Sequence, residues 1–192
     1  MTITEPQRFL DDLEQQLVIF SPIQQLAFGA ICSERHFPEY LRFSTEQHWG
    51  NPDVLKRAID VAWAVAAGEG EFDREQAQVL LAQCVDATPD SDDFPNVMSD
   101  YAQDAAIMVC HLVQFLGERS PRSLVLLASR ARDLIDAKIQ FDNKLNPADP
   151  ELEMKIATDQ AMVSEINIQR EFLKAIASTK DPHELALLRN SI

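Results

Sequence analysis

Apolar residues recur along this chain at the three- and four-residue spacing of an α-helix. The first three stripes run from Phe9 to Leu17, from Ile23 to Ile31 and from Leu55 to Ala66. This spacing places side chains on one helix face, and no segment of four to eight residues alternates with a period of two. The pattern predicts an all-α fold.

Proline positions mark where helices begin. Seven of the ten prolines follow a short polar residue, in the pairs Ser21-Pro22, Asn51-Pro52, Thr88-Pro89, Ser120-Pro121, Asn146-Pro147, Asp149-Pro150 and Asp181-Pro182. Such a side chain can cap free backbone N–H groups, and a proline in the first turn loses no hydrogen bond. The segments starting at Thr4, Ser21 and Asp181 also read as capping boxes or near relatives.

The later helices follow from the same signals. They are predicted from about Arg74 to Val85, Val97 to Leu116, Pro121 to Asp142, Pro150 to Ser178 and Pro182 to Arg189. The one substantial loop, residues 86–96, holds four aspartates and two prolines. Residues 1–192 are therefore expected to form a single-domain bundle of eight or nine helices.

The stretch SERHFPEYLRF, residues 33–43, allows two interpretations. Pro38 disfavours the helical region for the residue before it, so one helix is predicted to end there, with Arg35 and His36 in its last turn. The expected core positions of the next helix are Tyr40, Leu41 and Phe43. The alternative makes Glu34 and Arg35 an oriented ion pair that faces a pocket.

The predicted last long helix is apolar on more than one side. Leu152, Ile156, Val163, Ile166 and Leu173 form one stripe, and Met154, Met162, Ile168, Phe172 and Ile176 lie on its flanks. Such a helix is either buried centrally or shared with another subunit. A homodimer is therefore one of two open alternatives.

The net charge of −14 argues against nucleic acid and anionic membranes as partners. No lysine or arginine lies between Arg74 and Arg119, and the acidic residues of that stretch are Glu75, Asp86, Asp90, Asp92, Asp93, Asp100, Asp104 and Glu118. This surface either keeps the protein soluble or docks a basic protein partner or cations.

Three widely spaced cysteines, Cys32, Cys84 and Cys110, form no C-x-x-C pair and are expected to be buried thiols in a reducing cytoplasm. The N-terminus has acids where a signal peptide needs bases, and no apolar run approaches the ~20 residues that span a bilayer. The sequence therefore predicts a cytoplasmic protein.

No metal or catalytic motif is complete. His36 and His48 could bind a metal with Glu39, but Pro38 interrupts their spacing and no third ligand is near. The aspartate loop breaks the pattern of a calcium hand, although Asp100 and Asp104 share a helix face and leave a divalent cation as a minor hypothesis. Nucleophile elbows, P-loops and dinucleotide fingerprints are absent. We expect no cofactor, and the absence of a recognised catalytic motif favours a protein that is not an enzyme.

Four motifs occur in the order and spacing of a known family: ERHFPEY at 34–40, AIDVAW at 58–63, PDSDDF at 89–94 and AQDA at 102–105. Over about residues 13–116 the chain resembles the YjaG-like bacterial proteins, a family with a domain of unknown function (416). The resemblance implies a small cytoplasmic all-helical bacterial protein without an established activity. It places the family's polar positions on Glu34, Arg35, Asp60, Asp93 and Asp104, and His36 and the cysteines lie outside that pattern.

Two functional hypotheses follow. The first is a non-enzymatic, self-associating interaction protein with an acidic helical surface. The second is a small-ligand or cation site between helices, which could be catalytic, built from Glu34, Arg35, Asp93 and Asp104. A structural network of ion pairs would explain the same polar residues equally well.

Overall fold

The helix Val97–Glu118 buries twelve of its side chains, and it contacts four other helices. A helix that is apolar round most of its circumference must lie inside a bundle. The computed structural model describes residues 4–94 and 96–191, and in it the core surrounds this helix.

The described residues form nine α-helices and two short 3₁₀ helices, and no strand. The α-helices are α1 Glu5–Val18, α2 Pro22–Gln47, α3 Pro52–Ala66, α4 Arg74–Asp86, α5 Val97–Glu118, α6 Pro121–Asp142, α7 Leu152–Thr158, α8 Gln160–Ser178 and α9 Pro182–Leu187; the 3₁₀ helices are Ser91–Asp93 and Leu188–Ser191. Helix α5 packs against α2, α3, α4 and α6, and α8 lies across α2 and α6. The predicted all-α bundle is confirmed.

Helix α2 does not end before Pro38, so that prediction was wrong. The helix continues to Gln47, and its C-cap is His48, whose φ of 51° is left-handed. Tyr40 and Phe43 are fully buried beyond the proline. Their burial outweighs the local cost of proline, which removes one hydrogen bond from the helix. Leu41 was also expected in the core but is 45% exposed.

Four of the seven polar-proline pairs begin helices: those at Ser21, Asn51, Ser120 and Asp181. Ser21 forms the predicted capping box with Gln24, and Asp181 accepts hydrogen bonds from two backbone N–H groups. Thr4 makes no side-chain cap, which corrects the capping box predicted there. The pairs at Thr88, Asn146 and Asp149 lie in loops and turns, where a short polar side chain can bond its own backbone instead.

The long helix predicted from Pro150 to Ser178 is two helices, α7 and α8. Asp159 separates them with an extended backbone, and its carboxylate accepts a hydrogen bond from the Ala161 N–H at 2.8 Å. The aspartate acts as an N-cap, and this local alternative interrupts the helix. Beyond the break, α8 packs against α2 and places Glu165 at Arg35.

Candidate functional site

Glu34 lies at the centre of a first polar cluster, formed by α2, α3 and the C-terminal 3₁₀ helix. Its carboxylate accepts hydrogen bonds from Lys56 Nζ at 3.1 Å, Trp63 Nε1 at 2.7 Å and an Arg189 guanidinium nitrogen at 2.7 Å. Asp60 also accepts hydrogen bonds from Lys56 and Arg189. We call these five residues the Glu34 cluster.

The electrostatics of this cluster favour ionised carboxylates. Burial alone would raise the pKa of Glu34, but the hydrogen bonds from Arg189, Lys56 and Trp63 outweigh it and hold the pKa below its ordinary value. The pKa of Asp60 is lowered in the same way, against burial, by Lys56 and Arg189.

Arg35, the next residue along α2, belongs to a second and separate cluster. Its two terminal nitrogens donate to the two oxygens of Glu165 at 3.1 and 3.0 Å, and Glu165 is only 2% exposed. His36 Nε2 lies 3.4 Å from the same carboxylate, and the Gln169 amide donates to it at 2.7 Å. We call these four residues the Glu165 cluster.

The buried Glu165 carboxylate is held as an anion. Burial by itself raises the pKa of this carboxyl, but His36 and Arg35 lower it well below its ordinary range. One side-chain oxygen of the cluster, Gln169 Oε1, is buried and has no hydrogen-bond partner within the described part of the chain, and the same holds for Ser33 Oγ on α2. The cluster is therefore charged, tightly enclosed and not fully satisfied.

Asp104 lies elsewhere, on α5, where it pairs with Arg130 of α6 at 3.2 Å. Burial raises its pKa to about 6, helped by the nearby negative charge of Asp133 and opposed by Arg130. A raised carboxyl pKa of this kind occurs at functional sites as well as in structural networks.

Replacing Asp104→Asn is expected to change how stability depends on pH. The folded chain keeps the Asp104 proton up to about pH 6, whereas the ordinary carboxyl releases it near 3.8. The folded state therefore binds the proton more tightly than the unfolded state does. The resulting contribution to the free energy of unfolding is fully present at low pH and is lost as the pH rises from about 4 to 6. Over that window the free energy of unfolding of the wild type should fall by about 1–2 kcal/mol relative to Asp104→Asn, as measured by urea unfolding.

Glu118→Gln is the control for that experiment, because Glu118 is an exposed carboxylate at the far end of the same helix. Its stability curve should run parallel to that of the wild type. Parallel curves for the wild type and Asp104→Asn would contradict the prediction.

Asp93 is exposed in the 3₁₀ helix between α4 and α5. It belongs to a group of exposed carboxylates that we call the acidic turn: Asp86, Asp90, Asp92, Asp93 and Asp100. Within the described residues, no member of this group forms an ion pair. A cleft of about 490 Å³ adjoins it, lined by Trp49, Asn51, Arg57, Gln83 and Asp86 among others.

The four residues predicted to form one site are therefore divided among different surroundings. Glu34 and Arg35 are neighbours in sequence but join different clusters, Asp104 pairs with Arg130, and Asp93 faces solvent. No hydrogen bond or ion pair in residues 4–94 and 96–191 joins any two of them. The structure does bring Asp60 beside Glu34.

The sequence patterns do not predict Lys56, Arg189, Glu165 or Gln169 as site residues, and the resemblance leaves His36 outside the family's polar positions. Glu165 and Gln169 stand on the buried face of α8 with Met162, Ile166 and Leu173. Charged or amide side chains on an apolar stripe at helical spacing are a signal of a buried polar cluster. No comparable signal marks Lys56 or Arg189.

All three cysteines are free and buried, as predicted. Burial raises the pKa of the Cys84 thiol to about 12 and raises those of Cys32 and Cys110 as well. Thiols in such surroundings pack as small apolar side chains. Across the described residues, no three His, Cys, Asp or Glu side chains are grouped closely enough to hold a metal. None of the described helices has the length and apolar character needed to cross a bilayer.

The chain is similar to proteins whose function is not known. The model of the family "Protein of unknown function (DUF416)" matches residues 12–192, which extends the resemblance well beyond residue 116 and confirms it. None of the curated proteins matches. A solved structure, that of a DUF416 family protein from Shewanella baltica, has 21% identity and a TM-score of 0.81, with 93% of this chain and 91% of that chain covered. At this identity the likeness supports the fold alone.

Proposed function

We propose that this chain, which belongs to the DUF416 family of proteins of unknown function, is a non-enzymatic interaction protein that binds a basic protein partner through its acidic turn. The observation that carries the proposal is the acidic turn itself, five exposed carboxylates without an ion pair among the described residues, next to a cleft that contains Trp49. A lysine- or arginine-rich segment would complement that charge.

The cleft also contains an aromatic side chain that packing holds in place. Trp49 and Phe94 pack edge to face at 5.4 Å, and both pack against the buried Phe43. This aromatic contact fixes the indole of Trp49 in the cleft that Asp86 of the acidic turn also lines. A tryptophan face next to a carboxylate can hold a cationic side chain by cation–π attraction and an ion pair together.

The placement of Asp86 within the acidic turn opposes stability, which favours a functional reason for this carboxylate. Asp86 is the last residue of α4, where the helix dipole is negative and basic residues are preferred, and no basic residue lies in that turn. An aspartate in this position costs a few tenths of a kcal/mol to about 1 kcal/mol. Exposed positions that lower stability are often kept for binding.

Neutralising the acidic turn tests the proposal. The variant Asp90→Asn/Asp92→Asn/Asp93→Asn keeps the oxygen with which Asp90 accepts the Asp92 N–H, so the turn should stay folded. Tagged wild type, incubated with extract of its source cells, should retain a basic protein at 50 mM salt. Since charge steers this binding, we expect roughly tenfold or greater loss in the variant and at 500 mM salt.

The matched control removes three exposed carboxylates elsewhere, in Asp12→Asn/Glu69→Gln/Glu71→Gln. It changes the net charge equally and should keep the partner. Equal loss from both variants would show that only net charge matters, and unchanged binding by both would refute the acidic turn as the binding surface.

Self-association and a cytoplasmic location are further parts of the proposal. The exposed apolar side chains Phe141, Met154 and Val163 lie on the consecutive helices α6, α7 and α8, and they are 59%, 47% and 40% exposed. Together they favour a contact between copies of the chain. The buried free thiols agree with a reducing compartment. Light scattering over a concentration series measures the association.

A further inference from the structure

The Glu34 cluster surrounds the guanidinium of Arg189 with groups suited to it. Arg189 donates to Glu34 and Asp60, and its Cζ lies 5.8 Å from the centre of the Trp63 ring. Two carboxylates and an aromatic face are the groups that recognise arginine side chains in binding sites. The Trp63 N–H also bonds the second Glu34 oxygen at 2.7 Å, which fixes the carboxylate in place.

Without Arg189, the pocket has one more negative charge than positive charges. Apart from Arg189, the cluster contains the carboxylates of Glu34 and Asp60 and the ammonium group of Lys56. It therefore has one uncompensated negative charge when Arg189 is absent. With Arg189 in place the Glu34 side chain is only 19% exposed, and partial burial of this kind makes its attraction for a cation stronger than that of a surface aspartate.

The segment that supplies Arg189 is short. It follows α8 after the connection 179–181, Leu185 is the buried side chain of α9, Leu188 packs against the core while partly exposed, and Leu187 is 64% exposed. Pro182 touches the surface near Gly68. Segments with few buried apolar contacts open at a small fraction of the global free energy of unfolding.

We propose that the pocket of Glu34, Asp60 and Trp63 is a binding site for an arginine side chain of a protein partner, and that Arg189 is its intramolecular occupant. Opening of the C-terminal segment exchanges one guanidinium for another, with the same two carboxylates and the same indole face. This site is separate from the acidic turn, so it does not depend on the proposal made for that surface.

The tethered Arg189 sets the affinity for a competing arginine. A side chain held on a short segment acts at a high effective concentration, commonly in the millimolar range or above. A single free arginine derivative should therefore bind the wild type poorly. Removing Arg189 removes the competitor, and the apparent dissociation constant should fall at least about tenfold.

The test is titration of full-length Arg189→Ala with N-acetyl-arginine methylamide, followed by NMR through the indole N–H signal of Trp63. That proton bonds Glu34, so its chemical shift reports on the pocket directly. We expect chemical shift changes that saturate in Arg189→Ala. In the wild type the apparent dissociation constant should be at least tenfold higher. The lysine and citrulline derivatives should bind less tightly, since they lack a charged planar fork.

The control is Arg189→Ala/Glu34→Gln, which should lose the response, while Arg189→Ala/Asp90→Asn/Asp92→Asn/Asp93→Asn should keep it. Arg189→Gln replaces Arg189→Ala in the same titration if the alanine variant does not fold. The proposal is overturned if removing Arg189 does not strengthen binding, or if Glu34→Gln binds as well. The titration tests only the pocket of Glu34, Asp60 and Trp63, and the capture of a basic partner tests only the acidic turn. Either proposal can therefore be refuted while the other stands.

Discussion

Glu165→Gln is expected to lower the free energy of unfolding by about 3–5 kcal/mol. The substitution leaves the positive charge of Arg35 beside α8 without its counter-ion and replaces one acceptor oxygen of the cluster with an NH2 donor. Removing one partner of a buried ion pair costs more than the pair contributes, because the other charge stays in a poorly solvated place. Arg35 keeps 18% of its side chain exposed, which favours the lower end of the range.

Urea unfolding monitored by circular dichroism measures the effect at pH 7. The control is Glu171→Gln on the same helix, because Glu171 is 70% exposed in its pair with Lys174 and should change stability by less than about 1 kcal/mol. Similar losses for the two variants would contradict the assigned role of Glu165.

The same carboxylate should contribute to loss of stability in acid. The folded-state pKa of Glu165 is lowered, so its contribution is present above the ordinary value of 4.5 and is lost as the pH falls below it. Between pH 5 and pH 3 the wild type should lose more stability than Glu165→Gln does.

Local signals predicted most of the helices because their causes are local. The bounds predicted for α6, Pro121 to Asp142, are those observed, and the start of α4 at Arg74 follows from a capping box at Asp73. The prediction failed at Pro38, where distant packing decides the outcome. Tyr40 and Phe43 gain more from burial in the core than α2 loses at the proline.

The clusters could be predicted only in part. Glu34 and Arg35 were singled out, but their partners Arg189 and Glu165 are 155 and 130 residues away in sequence. No periodicity in one segment says which distant segment packs on it. Asp93 and Asp104 were chosen from a resemblance in sequence, and a shared motif does not imply a shared pocket.

Gly50→Ala is expected to lower the free energy of unfolding by about 2–4 kcal/mol. Gly50 has a φ of 89°, in the left-handed region that a Cβ disfavours, and an added Cβ would collide with the Tyr40 hydroxyl. That hydroxyl donates to the Ala87 carbonyl at 2.5 Å and accepts the Asn51 N–H at 3.0 Å. Alanine would therefore strain the backbone and also break the contact that joins α2 to the ends of α3 and α4.

Gly70→Ala is the matched control, because no atom lies within 4 Å of its added Cβ. It should leave stability unchanged or raise it by up to about 1 kcal/mol. Thermal and urea unfolding of both variants measure the difference, and equal values for the two would contradict the strain assigned to Gly50.

A double-mutant cycle with Tyr40→Phe separates the two causes. If the collision with the hydroxyl dominates, Gly50→Ala should cost less in the Tyr40→Phe background by about 1 kcal/mol or more, whereas backbone strain alone gives the same cost in both. The distinction bears on binding as well, since Gly50 and Asn51 line the cleft next to the acidic turn. A Gly50→Ala protein that is destabilised through Tyr40 should also lose the shape of the cleft that Trp49 and Asp86 line, and with it the salt-sensitive binding of the basic partner.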